Sequence, residues 1–135
     1  MHAFNLILRD GRVVAVIDWT NGRLAERQFD VAYSALLLER LPISIPAPLR
    51  PIVTRAGRRA SRRFIAEYAE RRALDPDKLA WYDALHALAG LVRVGLARSG
   101  LPGSVPLADS HPWVRMAPAN AERLFAFATR GGRPQ

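Results

Sequence analysis

The dipeptide Asp10-Gly11 lies between Leu6-Ile7-Leu8-Arg9 and Arg12-Val13-Val14-Ala15-Val16-Ile17, and it constrains the fold more than any other feature of the chain. Asp-Gly accepts the positive φ angles of a two-residue hairpin turn, and the runs beside it are rich in strand-forming residues. A β-hairpin is therefore expected at the amino-terminal end. Its turn would return the chain on itself and bring Asn5 and Asp18, thirteen residues apart, to one site. An amide oxygen and a carboxylate are hard ligands. They suit Mg²⁺, which takes one or two carboxylates and fills its octahedron with water and phosphate oxygens.

Beyond the hairpin the pattern is helical. Gln28 or Asp30 opens a first helix that runs toward Leu41-Pro42, and prolines 42, 46 and 48 mark a loop within the same domain. Over residues 48–73, Ile52 or Val53, Ala56, Ala60, Phe64 and Tyr68 recur at three- and four-residue steps and predict a buried face. The opposite face carries Arg55, Arg58, Arg59, Arg62 and Arg63. Asp75-Pro76-Asp77 combines an N-cap side chain, a first-turn proline and a negative charge near the positive helix end. That helix should stop at Gly100. Gly90 and Gly95 lie inside it, and close backbone packing is the expected reason for both. A loop over 101–116 and a last helix over 118–129 complete the reading. The fold class is α+β, mostly α: a hairpin followed by about four helices.

Composition limits what such a chain can do. With 135 residues, half of them hydrophobic, it can form one domain, and a chain of this size buries roughly 65% of its unfolded surface. Cysteine is absent and the histidines, at 2, 86 and 111, lack ligand spacing, which excludes disulfides, thiolate sites and a zinc centre. No apolar run approaches the ~20 residues that cross a bilayer, and no secretory leader is evident. The expected setting is cytoplasmic, with no membrane partner.

The motifs also resemble a known family. Met1-His2-Ala3-Phe4-Asn5 is similar to the end of the His-x-Asp-x-x-x-x-Asn catalytic loop of the aminoglycoside phosphotransferase and choline kinase-like superfamily. Val16-Ile17-Asp18-Trp19 is similar to its Ile-Asp-Trp metal motif. The segment 23–32 resembles the family's Gly-Asp-Pro-Ala-x-Asp-Leu-Ala, with Glu26-Arg27 in place of Asp-Pro and Asp30 as the second Asp. His111-Pro112-Trp113 resembles a feature of bacterial members.

The resemblance implies the C-terminal lobe of a protein-kinase-like fold and transfer of the ATP γ-phosphoryl group to a hydroxyl. It makes Asn5 and Asp18 the Mg²⁺ ligands, with Asp30 and Trp19 as structural support. It also places the catalytic Asp immediately before Met1, so that no catalytic residue is retained. No Gly-rich phosphate loop is present, and Lys78, the only lysine, stands at a helix start. The expectation is thus a single partial domain, with the metal hairpin in 1–20 and the acceptor-binding helices in 28–130. A separate amino-terminal lobe is the implied partner, and the isolated chain is expected to be inactive.

Charge bears on the acceptor. The formal charge is +8, and all but one of the twenty basic residues are Arg. A pocket for polycationic aminoglycosides should be lined with carboxylates, which are sparse here, so a neutral or anionic small hydroxyl compound is expected instead. Tyr82 and His86, one helical turn apart, are the candidate substrate contacts. The alternative reading is a basic helical module without catalysis, binding nucleic acid or protein through its Arg stripe. Nucleic acid is disfavoured because no aromatic residues interleave with the stripe to stack on bases.

Overall fold

The computed structural model describes residues 5–17, 24–40, 45–102 and 104–130, apart from the side chain of Pro112. Phe4, Asp18 and Trp19 lie outside these residues.

The hairpin forms as its turn residues require. Strands β1 (Leu6–Arg9) and β2 (Arg12–Val16) pair antiparallel. Asp10 (φ 51°) and Gly11 (φ 73°) both take positive φ, the signature of a type I′ turn, whose twist matches that of the strands. Leu6 opposes Val16 and Ile7 opposes Ala15, but Leu8 opposes Val13, so a bulge enters between Ile7 and Leu8. The extra residue breaks the two-residue alternation, and Val13 and Val14 are both exposed.

Four helices follow: α1 (Arg27–Glu39), α2 (Arg50–Arg71), α3 (Pro76–Ser99) and α4 (Pro112–Thr129), with a 3₁₀ turn at Ala47–Leu49. Helix α1 is central. It packs against α2 on one side and α3 on the other, and α4 packs on α3. Its Val31, Ala32, Ala35, Leu36 and Leu37 are buried, as are Ala84, Ala87 and Val94 of α3 and Met116 of α4. The overall architecture is the expected one.

Local signals placed α3 correctly. The Asp75 carboxylate accepts from the Asp77 and Lys78 amides at 2.9 and 3.2 Å, and Gly100 ends the helix in the left-handed conformation. Other expectations need correction. Neither Gln28 nor Asp30 opens α1: Glu26 is the extended cap residue, and Asp30 lies inside the first turn. There Asp30 can favour the positive helix end only through its charge.

On α2 the buried positions are Gly57 and Ser61, while Ile52, Ala56 and Ala60 are exposed. Val53, Phe64 and Tyr68 of the expected face are half-buried, so the inner face is displaced by one residue only in its middle, from Ala56 and Ala60 to Gly57 and Ser61. The cause is contact between backbones: a Cβ on Gly57 would lie 2.6 Å from the Leu38 carbonyl oxygen, so only glycine lets α2 come this close to α1.

Helix α4 starts six residues before the expected Pro118. His111 is its cap, accepting the Trp113 amide on Nδ1 at 3.2 Å, and Pro118 falls inside the helix. Either proline suits a first turn, and the ring nitrogen of His111 decides between them. Finally, Gly90 does allow a close approach, its missing Cβ leaving room for Asn120 and Trp113, but Gly95 faces open space.

Candidate active site

The hairpin ends meet through one backbone bond. The Ile17 N–H donates to the Asn5 carbonyl at 2.9 Å, so the ladder extends one pair beyond the strands and Asn5, half-buried, pairs with the residue that precedes Asp18. Asp18 and Trp19 themselves lie outside the described residues. Among those described, no group of three or more His, Cys, Asp or Glu side chains is placed to hold a metal ion.

The structure brings the two candidate acceptor contacts together. Tyr82 and His86 both meet Phe29 of α1, Tyr82 edge-on at 5.6 Å between ring centroids and His86 at 4.5 Å. The buried His86 ring donates from Nε2 to the Phe29 carbonyl at 2.9 Å, which fixes the neutral tautomer with its proton on that nitrogen. Burial lowers its pKa, outweighing the Phe29 carbonyl, Asp83 and Asp30, which favour the protonated form. Asp30 is thereby close enough to act on His86 through its charge.

The aromatic contacts continue from α1 to α4. Tyr33 lies 5.0 Å from His86 and stacks at 6.5 Å on Trp113, whose other neighbour is the Arg93 guanidinium, 5.3 Å from the ring centroid. Burial raises the Tyr33 pKa, and Arg93 opposes that shift. His111-Pro112-Trp113 therefore has a structural use: its His caps α4 and its Trp joins the aromatic row.

Two features gave no sequence signal. Arg123 of α4 holds both oxygens of Asp83 on α3, at 2.6 and 2.8 Å, and also bonds Glu39 at the end of α1. Burial alone would lower the Arg123 pKa, but the two carboxylates outweigh it and raise it. One side chain thus ties three helices together. Its partners lie 40 and 84 residues away, beyond the reach of any local pattern.

The second is an open cleft of about 480 Å³ between the start of α1 and the start of α3. Glu26 and Lys78 pair across it at 2.7 Å, and this bond raises the lysine pKa. Glu26, which replaces the family's usual Asp, is therefore used to join the two helices.

A hairpin leading into a helical body is the arrangement that the phosphotransferase resemblance implies. A family model described as the phosphotransferase enzyme family matches residues 1–82, more than half of the chain, and the chain belongs to that family. The match covers the hairpin, α1, α2 and the first turns of α3, ending at Tyr82. No curated protein and no solved structure matches the chain.

Proposed function

We propose that the hairpin supplies the metal side, and the helices the acceptor side, of a kinase-type enzyme that moves the γ-phosphoryl group of ATP to a small-molecule hydroxyl. The observation that carries this reading is the Ile17-to-Asn5 backbone bond, inside the span matched by the family. It ties Asn5 to the immediate neighbour of Asp18.

The donor set fits Mg²⁺, because an amide oxygen and a carboxylate leave the remaining positions to phosphate and water. Asn5 and Asp18 would hold the ion, which when bound neutralises phosphate charge as the bond to the leaving oxygen breaks. Trp19 and Asp30 support that segment. Tyr82 and His86 belong to the acceptor side, with His86 a positioning residue held by Phe29. No residue of the chain is assigned to deprotonate the acceptor, so the direct test reads nucleotide binding.

The carboxylates also bear on the acceptor. Glu26, Glu39, Glu67 and Asp83 are all engaged by basic side chains of the same chain. These four of the twelve Asp and Glu already face basic groups, which favours a neutral or anionic hydroxyl compound over an aminoglycoside. Such an ATP-dependent reaction suits the cytoplasm, and no described helix is long and apolar enough to cross a membrane.

Thermal unfolding with ATP and Mg²⁺ tests the reading. A ligand at a hundred times its Kd stabilises the folded state by about 2.7 kcal/mol. The melting temperature should rise only when both ligands are present, and the rise should vanish in Asp18→Ala and shrink in Asn5→Ala. An undiminished rise in Asp18→Ala would refute the assignment.

A further inference from the structure

The inner and outer faces of α2 differ sharply in charge. Residues 50–63 contain six Arg and no Asp or Glu. Two of the six have carboxylate partners: Arg58 lies 3.5 Å from Glu39, and Arg63 lies 2.6 Å from Glu67. Arg55, Arg59 and Arg62 are exposed and make no ion pair or side-chain hydrogen bond among the described residues. Their i, i+4, i+7 spacing aligns them along about 10 Å of one helix face, away from Gly57 and Ser61, which meet α1.

Apolar side chains adjoin this row. Ile52, 66% exposed, lies one turn ahead of Arg55, and Leu49, 49% exposed, lies three residues before Ile52. Arg guanidinium groups present paired donors that match a carboxylate, and two other Arg of this helix already lie against carboxylates. A phosphate backbone would make no use of the neighbouring Leu49 and Ile52, and no aromatic residue on the face could stack on a base.

We propose that this face of α2 docks an acidic, amphipathic protein segment. Its carboxylates pair with Arg55, Arg59 and Arg62, and an aliphatic side chain covers Ile52 and Leu49. This surface is separate from the hairpin, and the proposal stands whether or not the chain binds nucleotide.

The test is fluorescence anisotropy of the full chain with a labelled synthetic helical peptide carrying Glu at i, i+4 and i+7 and Leu one turn ahead. The triple variant Arg55→Glu, Arg59→Glu, Arg62→Glu should weaken binding about 30-fold, as expected for the loss of three exposed pairs. The milder triple with Gln at the same positions should weaken it less, and Ile52→Ser should weaken it with the charge unchanged. Arg9→Glu, Arg12→Glu, Arg98→Glu makes the same change in net charge on exposed sites elsewhere and should leave binding within about threefold.

Circular dichroism would verify that each variant is folded. Equal losses in the two Glu triples would reduce the effect to net charge and overturn the proposal. So would displacement of the peptide by an RNA duplex or by phosphatidylglycerol vesicles at matched charge concentration.

Discussion

Single residues in α3 separate two uses of glycine that look alike in sequence. At Gly90 an added Cβ would lie 2.6 Å from Asn120 Nδ2 and 3.1 Å from the Trp113 ring, and Asn120 is fully buried with no hydrogen bond to its side-chain amide among the described residues. Gly90→Ala should therefore destabilise by about 1–3 kcal/mol, the usual cost of overpacking. At Gly95 nothing lies within 4 Å, so Gly95→Ala should stabilise by up to about 1 kcal/mol through helix propensity alone. Urea unfolding of the two variants measures both signs. His86 supplies a pH effect at the same scale. Burial lowers its pKa from 6.5 in the folded state, so as pH falls below that value the unfolded chain takes up the proton first. The associated stability is intact above about pH 6.5 and is lost as pH falls through the lower, folded-state pKa. Melting temperatures between pH 7.5 and 5 should fall more steeply for the wild type than for His86→Gln, as the linkage relation requires.

Among the elements, α4 carries a conflict that mutation can relieve. Pro118 is exposed inside the helix and cannot donate to the Val114 carbonyl one turn earlier. An interior proline is about 3 kcal/mol worse than alanine, so Pro118→Ala should stabilise by about 1–3 kcal/mol in chemical denaturation. A loss of stability instead would mean that α4 needs its proline to seat Asn120 and Arg123. The same proline shows where reading the sequence fails. Asp75-Pro76 and Gly100 located α3 because cap chemistry is settled within a few residues. The sequence reading starts α4 at Pro118, yet Pro112 suits a first turn equally well, and the folded His111 ring decides for Pro112. The α2 face was displaced because small residues carry little hydrophobic signal. Gly57 and Ser61 are buried through a backbone approach that periodicity does not encode, while the similar-looking Ala56 and Ala60 face solvent. The Asn5 half of the candidate site was only partly legible: the Asp-Gly turn fixes the Arg9–Arg12 and Leu8–Val13 pairs locally, but the bulge that sets Asn5 against Ile17 gave no sequence signal. Asp18, the other half, lies beyond the described strand. The Arg123 cluster, assembled from three helices, had no local trace.

For the whole molecule the question is whether attraction or repulsion dominates a chain of net charge +8. On α2 the Arg pairs 55/58, 55/59, 58/62, 59/62 and 59/63 stand three or four residues apart. Each such like-charge pair costs about 0.2–0.5 kcal/mol, so together they cost about 1–2.5 kcal/mol at low salt. The exposed attractive pairs, Arg63 with Glu67, Lys78 with Glu26 and Arg98 with Asp109, return little and are screened equally well. Arg123 is mostly shielded by its three-helix setting, so its pairs with Asp83 and Glu39 respond little to salt. Repulsion is therefore the larger salt-sensitive contribution. Raising sodium chloride from 0.01 to 0.15 M shortens the Debye length from about 30 to about 8 Å and should raise the melting temperature by about 2–4 °C. Chloride is the appropriate anion, because sulfate strengthens apolar burial in any protein. In the Arg55→Glu, Arg59→Glu, Arg62→Glu variant three of the five pairs, 55/58, 58/62 and 59/63, become attractive while 55/59 and 59/62 stay like-charged, and the salt response should largely vanish. A melting temperature that falls with salt in the wild type would show instead that the exposed ion pairs outweigh the crowded arginines.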